Sequence, residues 1–250
     1  DIYRVNDLTF GPLYFIPKPV DPRLITEVSA AVAKAAMESG VARKSITNWD
    51  AYKNSLMQLL GQETVFTRKL HDTARLQPQR VVYAEGGHPS MMKAAVQAKA
   101  EGICFPILLG NPDRINRQAQ RLKLDLSGIR IIDMRADKEQ GRRATYAKHL
   151  AEKLARKGYT FQEAYDKMYE RNYFGMMMVE RGDADAFITG LYTKYSNTIK
   201  VATEVVGVRE GFHTFGTMHV VNSQKGTYFI ADTLINRHPD NNFLVDIARL

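Results

Sequence analysis

Two stretches of the chain set glycines and polar residues just past apolar runs, and they carry most of the chemistry the sequence offers. The first, Ala84-Glu85-Gly86-Gly87-His88-Pro89-Ser90, pairs two glycines with a carboxylate and a hydroxyl ahead of a helical segment, so its backbone can approach a ligand closely. The second, Thr189-Gly190-Leu191-Tyr192-Thr193-Lys194-Tyr195-Ser196, leads hydroxyls, a lysine and two aromatics into another helix. In an open parallel sheet, ligands bind at the carboxyl ends of strands, where helix N-termini turn amide groups toward them. Both stretches fit that rule, and the second suits a phosphate or an acyl carbonyl better. Read as plain βα turns, they only connect. Asp232, at the end of a strand and followed by Asn236 and Asp240, is the one acidic cluster placed where a cleft is expected.

Other chemistries lack their signatures. No Gly-x-Gly-x-x-Gly follows a strand and no Gly-x-x-x-x-Gly-Lys-Ser/Thr occurs, so neither dinucleotide nor phosphate-loop binding is supported. The six histidines show no zinc spacing, and His213 and His219 read as packing or hydrogen-bonding residues. No metal ligands are expected. The single cysteine, Cys104, lies in an apolar run beside Phe105, which makes it a buried and inert thiol. One cysteine also excludes an internal disulfide framework. With no apolar run near the ~20 residues a membrane span requires, the expectation is a soluble, cytoplasmic protein with no membrane partner.

The net charge of +8 is unevenly spread. Residues 81–160 hold 15 basic and 8 acidic side chains, whereas residues 161–250 hold 9 and 11. A basic middle attracts phosphorylated or otherwise anionic partners. Between Arg114 and Lys157 there are 13 basic residues against 5 acidic, but no interleaved aromatics and no nucleic-acid motif, so nucleic acid is not the expected partner.

The elements that must position these residues are legible as alternation. Asp21 and Pro22 suit the start of an alanine-rich helix over Leu24–Met37, with Gly40 to close it; a second helix is expected over Trp49–Leu60. The polar stretch 61–78 reads as a connector with a helical turn in it. From Arg80, strands are expected at 80–84, 106–109 and 130–134, with helices at 90–101 and 112–122 between them, a βαβαβ layout. A long charged helix over 138–157, a capping box from Thr160 to Glu163, a helix over 173–181 and a buried strand over 186–189 follow. A helix over 196–206 and a hairpin of strands 217–222 and 227–232, turning at 223–226, come next, and a last helix starts at Asn241. The triple Met176-Met177-Met178 belongs to core or subunit contact. The fold class expected is α/β, a mostly parallel sheet flanked by helices.

Two segments go further. Phe10-Gly11-Pro12-Leu13-Tyr14-Phe15-Ile16-Pro17-Lys18-Pro19 through Leu24, with Ala31–Ala42, resembles the C-terminal end of bacterial malic enzyme domains. From Arg80, the pieces Val81-Val82-Tyr83-Ala84-Glu85-Gly86, Pro106-Ile107-Leu108-Leu109-Gly110, Gly182-Asp183-Ala184-Asp185-Ala186 and Phe229–Asn236 resemble the first half of phosphate acetyltransferases. In this order the two are similar to the hybrid NADP-dependent malic enzymes of bacteria. The resemblance implies a helical malic-enzyme remnant with linker over 1–76 and an incomplete phosphate acetyltransferase-like domain over 77–250. It implies a parent that decarboxylates malate to pyruvate with NADP and Mg or Mn, those sites lying outside this segment, and it leaves catalytic residues unknown here. It further implies self-association and acetyl-CoA, or a related CoA ester, acting as effector on this segment. The effector-binding residues would be Glu85, Gly86, Gly87, Ser90, Thr189, Gly190, Tyr192, Thr193, Lys194, Thr198, Lys200, Asp232 and Asn236. Lys194 and Lys200 would stand near the acyl end. The alternative is an active transferase moving an acetyl group between acetyl phosphate and CoA. Where the family usually has a charged stretch with an arginine entering the helix, this chain has Gly87-His88-Pro89-Ser90-Met91, which removes a bidentate donor.

Overall fold

The alternation of short apolar runs with helical segments becomes a four-stranded, all-parallel sheet of order β3-β2-β1-β4. The strands are β1 (Gln79–Tyr83), β2 (Cys104–Leu109), β3 (Arg130–Ile132) and β4 (Ala186–Ile188). The computed structural model describes residues 11, 15–16, 23–60, 65–223, 226–232, 234–236, 238 and 240–249. Of the segment resembling the malic enzyme up to Pro22, Gly11, Phe15 and Ile16 are described; the rest of it, including the expected cap at Asp21, and the hairpin turn at Gln224-Lys225 lie outside the described residues.

By contact the chain divides into two compact units. One comprises Asp1–Arg68 with Val220–Phe229, the other Lys69–His219 with Ile230–Leu250. The break falls inside a helix, whereas the sequence expectation divides the chain after residue 76.

In the smaller unit, α1 (Arg23–Glu38) packs on α2 (Trp49–Leu60). Gly40, at φ +76°, ends α1: its N–H donates to Met37 O at 3.2 Å and that of Val41 to Ala36 O at 3.1 Å, the paired bonds of a left-handed helix stop. The expected connector is instead mostly a three-turn helix, α3 (Val65–Leu76). Its polar composition hid an amphipathic period. Phe66, near its start, stacks edge-on against Phe229, ring centroids 5.5 Å apart.

In the larger unit the strands alternate strictly. Val82, Ile107, Leu109 and Ile132 face α6 (Gln140–Lys153), α8 (Arg171–Glu180) and α9 (Tyr195–Val205), packing on Tyr146, Leu150, Phe174, Met177 and Val201. Tyr83 and Leu108 face the other way, onto Met91 and Met92 of α4 (Pro89–Ala100) and Ile115 of α5 (Pro112–Arg121). One-residue alternation on β1, β2 and β3 thus makes two cores from one sheet. Each fully buried Leu, Ile, Met or Phe contributes about 1.5–3 kcal/mol. Met176, Met177 and Met178 all belong to the first core. Cys104 is buried.

The expected long helix over 138–157 is α6 with a 3-10 turn on either side, Asp137–Glu139 and Ala155–Lys157. Thr160 and Glu163 form the reciprocal capping box of α7 (Phe161–Lys167). The strand expected to be buried, β4, is half-buried with Ile188 41% exposed, because among the described residues it stands at the edge of the sheet and pairs only with β1. β5 (Met218–Ser223) and β6 (Gly226–Ala231) form the hairpin, and α10 (Asn241–Arg249) follows. Among the described residues, no helix is long and apolar enough to cross a membrane.

Candidate functional site

Strand order fixes where a ligand can enter. The chain steps from β1 to β2 to β3 in one direction, then crosses through α6, α7 and α8 to place β4 on the far flank of β1. Order reverses between β1 and β4, and outside the carboxyl ends at such a reversal a crevice opens. An open cleft of about 910 Å³ lies there.

Its floor is the turn after β1. The Gly86 N–H donates to Leu109 O at 3.1 Å, and a Cβ on Gly86 would stand 2.7 Å from that same oxygen. Only glycine lets the main chain of this turn lie against the end of β2. One residue earlier, Glu85 is 2% exposed. Its Oε1 lies 3.0 Å from Thr189 Oγ1 and accepts the Gly190 N–H at 3.3 Å, tying the end of β1 to the end of β4. Thr189 Oγ1 is also 3.1 Å from Asn172 Oδ1 at the start of α8, and its one proton serves one acceptor at a time. Glu85 Oε2 is buried and has no hydrogen-bond partner among the described residues.

The rim is cationic. Arg114, Arg135, Lys167, Arg171 and Lys200 line the cleft, against the carboxylates of Glu85, Asp133 and Glu170. Two of those carboxylates are occupied locally. Asp133 accepts the Arg135 N–H at 3.0 Å, and Glu170 pairs with Lys167 at 3.2 Å. Beneath the rim, Arg143 is buried and donates to Met134 O at 2.7 Å and Ala136 O at 2.8 Å, fixing the loop that presents Arg135. The Arg143 guanidinium also lies over the Tyr169 ring, 4.6 Å from its centroid. Tyr173 donates to Glu204 at 2.5 Å, and burial followed by this bond pushes its phenol well above the usual range.

At the mouth, His88 caps α4 by accepting the Ser90 N–H on Nδ1 at 3.2 Å, with Pro89 in the first helical position. The His88 ring meets Tyr192 edge-on at 5.5 Å, and Arg171 lies 5.6 Å from the centre of the same Tyr192 ring. Tyr192 is 64% exposed, an aromatic face open to a ligand.

Of the residues expected from sequence, Glu85, Gly86, Gly87, Tyr192, Thr193 and Lys200 line the cleft. Thr189 and Gly190 sit beneath it, holding Glu85. Ser90, Lys194 and Thr198 lie outside the lining: Ser90 occupies the first turn of α4, and Lys194 is the N-cap of α9. Asp232 and Asn236 are not brought to the cleft either. Asp232 accepts the Asn236 N–H at 3.2 Å and the Thr217 hydroxyl at 3.3 Å, so the pair closes its own loop. Sequence reasoning passed over Asn111, Arg114, Asp133, Arg135, Lys167 and Arg171. The available signal was the strand-end rule itself, since Asn111 follows β2 and Asp133 follows β3 as directly as Glu85 follows β1. His213 makes the expected hydrogen bonds, to Asp246, with its N–H and ring at 3.1 and 3.2 Å. Among the described residues, no group of three or more His, Cys, Asp or Glu is placed to hold a metal ion.

The chain is similar to known proteins over most of its length. The family model described as phosphate acetyl/butaryl transferase matches residues 65–250. Over 98% of the chain it is 36% identical to an NADP-dependent malic enzyme of Escherichia coli and 35% identical to one of Rhizobium meliloti. The chain spans about a third of those relatives' length. A phosphate acetyltransferase of Salmonella typhimurium is 30% identical over 73% of the chain and a quarter of its own length. The EutD phosphotransacetylase of Staphylococcus aureus superposes with a TM-score of 0.62, at 25% identity, covering 72% of this chain and 55% of that one.

Proposed function

This chain belongs to the phosphate acetyl/butaryl transferase family over residues 65–250, and on that premise we propose that its cleft binds acetyl-CoA or a related CoA ester as an effector. The carrying observation is the joint made by Glu85, Thr189 and Gly190 at the strand-order reversal, beneath a rim of five cations. Cations at a half-open rim suit the phosphates of a CoA ester, and the exposed Tyr192 face with Arg171 beside it suits a flat base. The relatives that match the whole chain are NADP-dependent malic enzymes. We therefore propose a parent of that activity, cytoplasmic and self-associating, with NADP and its divalent metal held outside the residues described. Nucleic acid and membrane are not among its proposed partners.

The test is calorimetric titration of the intact protein with acetyl-CoA. Lys200→Ala and Arg171→Ala should each weaken binding by about 3- to 30-fold, the loss of one charge-assisted contact. Tyr192→Ala should weaken it as well. Undiminished binding in all three removes the cleft as the site. Coupling to turnover should amount to roughly 5- to 150-fold in affinity.

A second reading, turnover rather than sensing, is favoured by the transferase relatives. It predicts acetyl-CoA formation from acetyl phosphate and CoA by the intact protein. Binding of acetyl-CoA without that reaction decides for the effector.

A further inference from the structure

Among the described residues, Glu85 is the one cleft carboxylate with a buried oxygen that has no hydrogen-bond partner. Asp133 and Glu170 are engaged by their own neighbours, whereas Glu85 has one oxygen held by Thr189 and Gly190 and the other unmatched. A buried carboxylate oxygen left without a donor is costly, so a ligand that brings an N–H or O–H to it is favoured. A ligand that brings a second carboxylate is opposed, because like charges on a shielded floor repel with little screening.

The distribution of charge sets the ligand's direction. Phosphates belong with Arg114, Arg135, Lys167, Arg171 and Lys200 at the rim, so the uncharged arm of a CoA ester is the part that reaches Glu85. Resting on the proposal that the cleft takes a CoA ester, we infer that Glu85 is a specificity residue that admits neutral acyl thioesters and rejects those ending in a carboxylate. Thr189 and Gly190 are positioning residues: they hold one oxygen of Glu85 and leave the other unpartnered.

The experiment is a comparison, by calorimetry on the intact protein, of butyryl-CoA and succinyl-CoA, which match in length and differ by a terminal carboxylate. Wild type should prefer butyryl-CoA by about tenfold or more. Glu85→Gln, nearly isosteric, should narrow the gap to within about threefold, with the gain on the succinyl-CoA side. Thr189→Val keeps the charge and should keep the sign of the preference.

Equal binding of the two esters by wild type overturns the inference, as does a gap that Glu85→Gln leaves intact. Failure of butyryl-CoA to bind overturns it too, since the floor would then reject length rather than charge. Should Glu85→Gln fail to fold, the wild-type ratio alone still decides. If acetyl-CoA itself does not bind, the proposed function fails instead, which keeps the two failures apart.

Discussion

Arg80 and Asp185, 105 residues apart in sequence, clamp the start of β1 to the start of β4. Nε and Nη2 of Arg80 donate to the two carboxylate oxygens at 2.9 and 2.7 Å, and the Arg80 backbone N–H adds a third bond at 2.8 Å. Gly182 O takes a further Nη2 bond at 2.9 Å, so the guanidinium also fixes the turn before β4. The clamp sits at the opposite end of the strands from the cleft and holds the edge strand in register.

This clamp makes stability depend on acid. The side-chain bonds from Arg80, then its backbone bond, hold the Asp185 carboxyl down at about 2, from an ordinary 3.8. A carboxyl lowered in the folded state stabilises above its unfolded value and loses that contribution as pH falls through the folded one. Asp185→Asn should therefore lower the urea midpoint near neutral pH. The difference from wild type should shrink between about pH 4 and about pH 2, measured as midpoint against pH.

Gly175 in α8 is a second point of close approach. A Cβ there would stand 2.7 Å from Phe187 Cδ2 and 3.1 Å from Leu109 Cδ1. Gly175→Ala should cost about 1–3 kcal/mol through overpacking, against the small gain in helix propensity. Chemical denaturation measures this, and a stabilised variant would show that α8 does not press on β4 as described.

Thr160 caps α7 through the Glu163 N–H at 3.2 Å, while Glu163 returns a bond to the Thr160 N–H at 2.8 Å. Thr160→Ala should cost about 1 kcal/mol, and Thr160→Ser much less. Equilibrium unfolding of both variants checks the order.

Cys104, at the start of β2, should react slowly. Burial is the main cause that pushes its thiol up, and Tyr83 Oη is 3.8 Å from its sulfur. A disulfide reagent at neutral pH should label it only as fast as the protein opens, with the rate rising sharply in denaturant. Rapid labelling of folded protein would contradict the burial.

The sheet was legible because its strands are continuous apolar runs broken by Gly110-Asn111-Pro112 and similar punctuation. Its ends were placed to within two residues wherever a cap such as Asn111 or Thr160 marks the helix that follows. The helix α3 was not legible, since Thr67, Lys69 and Asp72 give it a polar composition and only spacing reveals its face. The exposure of β4 was not legible either: the run Ala186-Phe187-Ile188 reads alike in the middle and at the edge of a sheet. Of the residues lining the cleft, loop chemistry pointed to Glu85, Gly86, Gly87, Tyr192 and Thr193, and the helix after the second loop to Lys200. Lys167 and Arg171 come from the crossover between β3 and β4, and where its turn lands depends on packing that no local pattern states. Asp232 and Asn236 read as a cleft edge because a turn that closes on itself uses the same side chains.

The contact of Gly86 with Leu109 is main chain against main chain, with no side chain between. That part of the floor has no rotamer to surrender when something lands on it. The entropy of docking must then fall on the rim, where Lys200 is 65% exposed and its ammonium stands 3.9 Å from Glu204. Replacing rim lysines by stiffer cations is accordingly the route by which affinity would be raised without touching the floor.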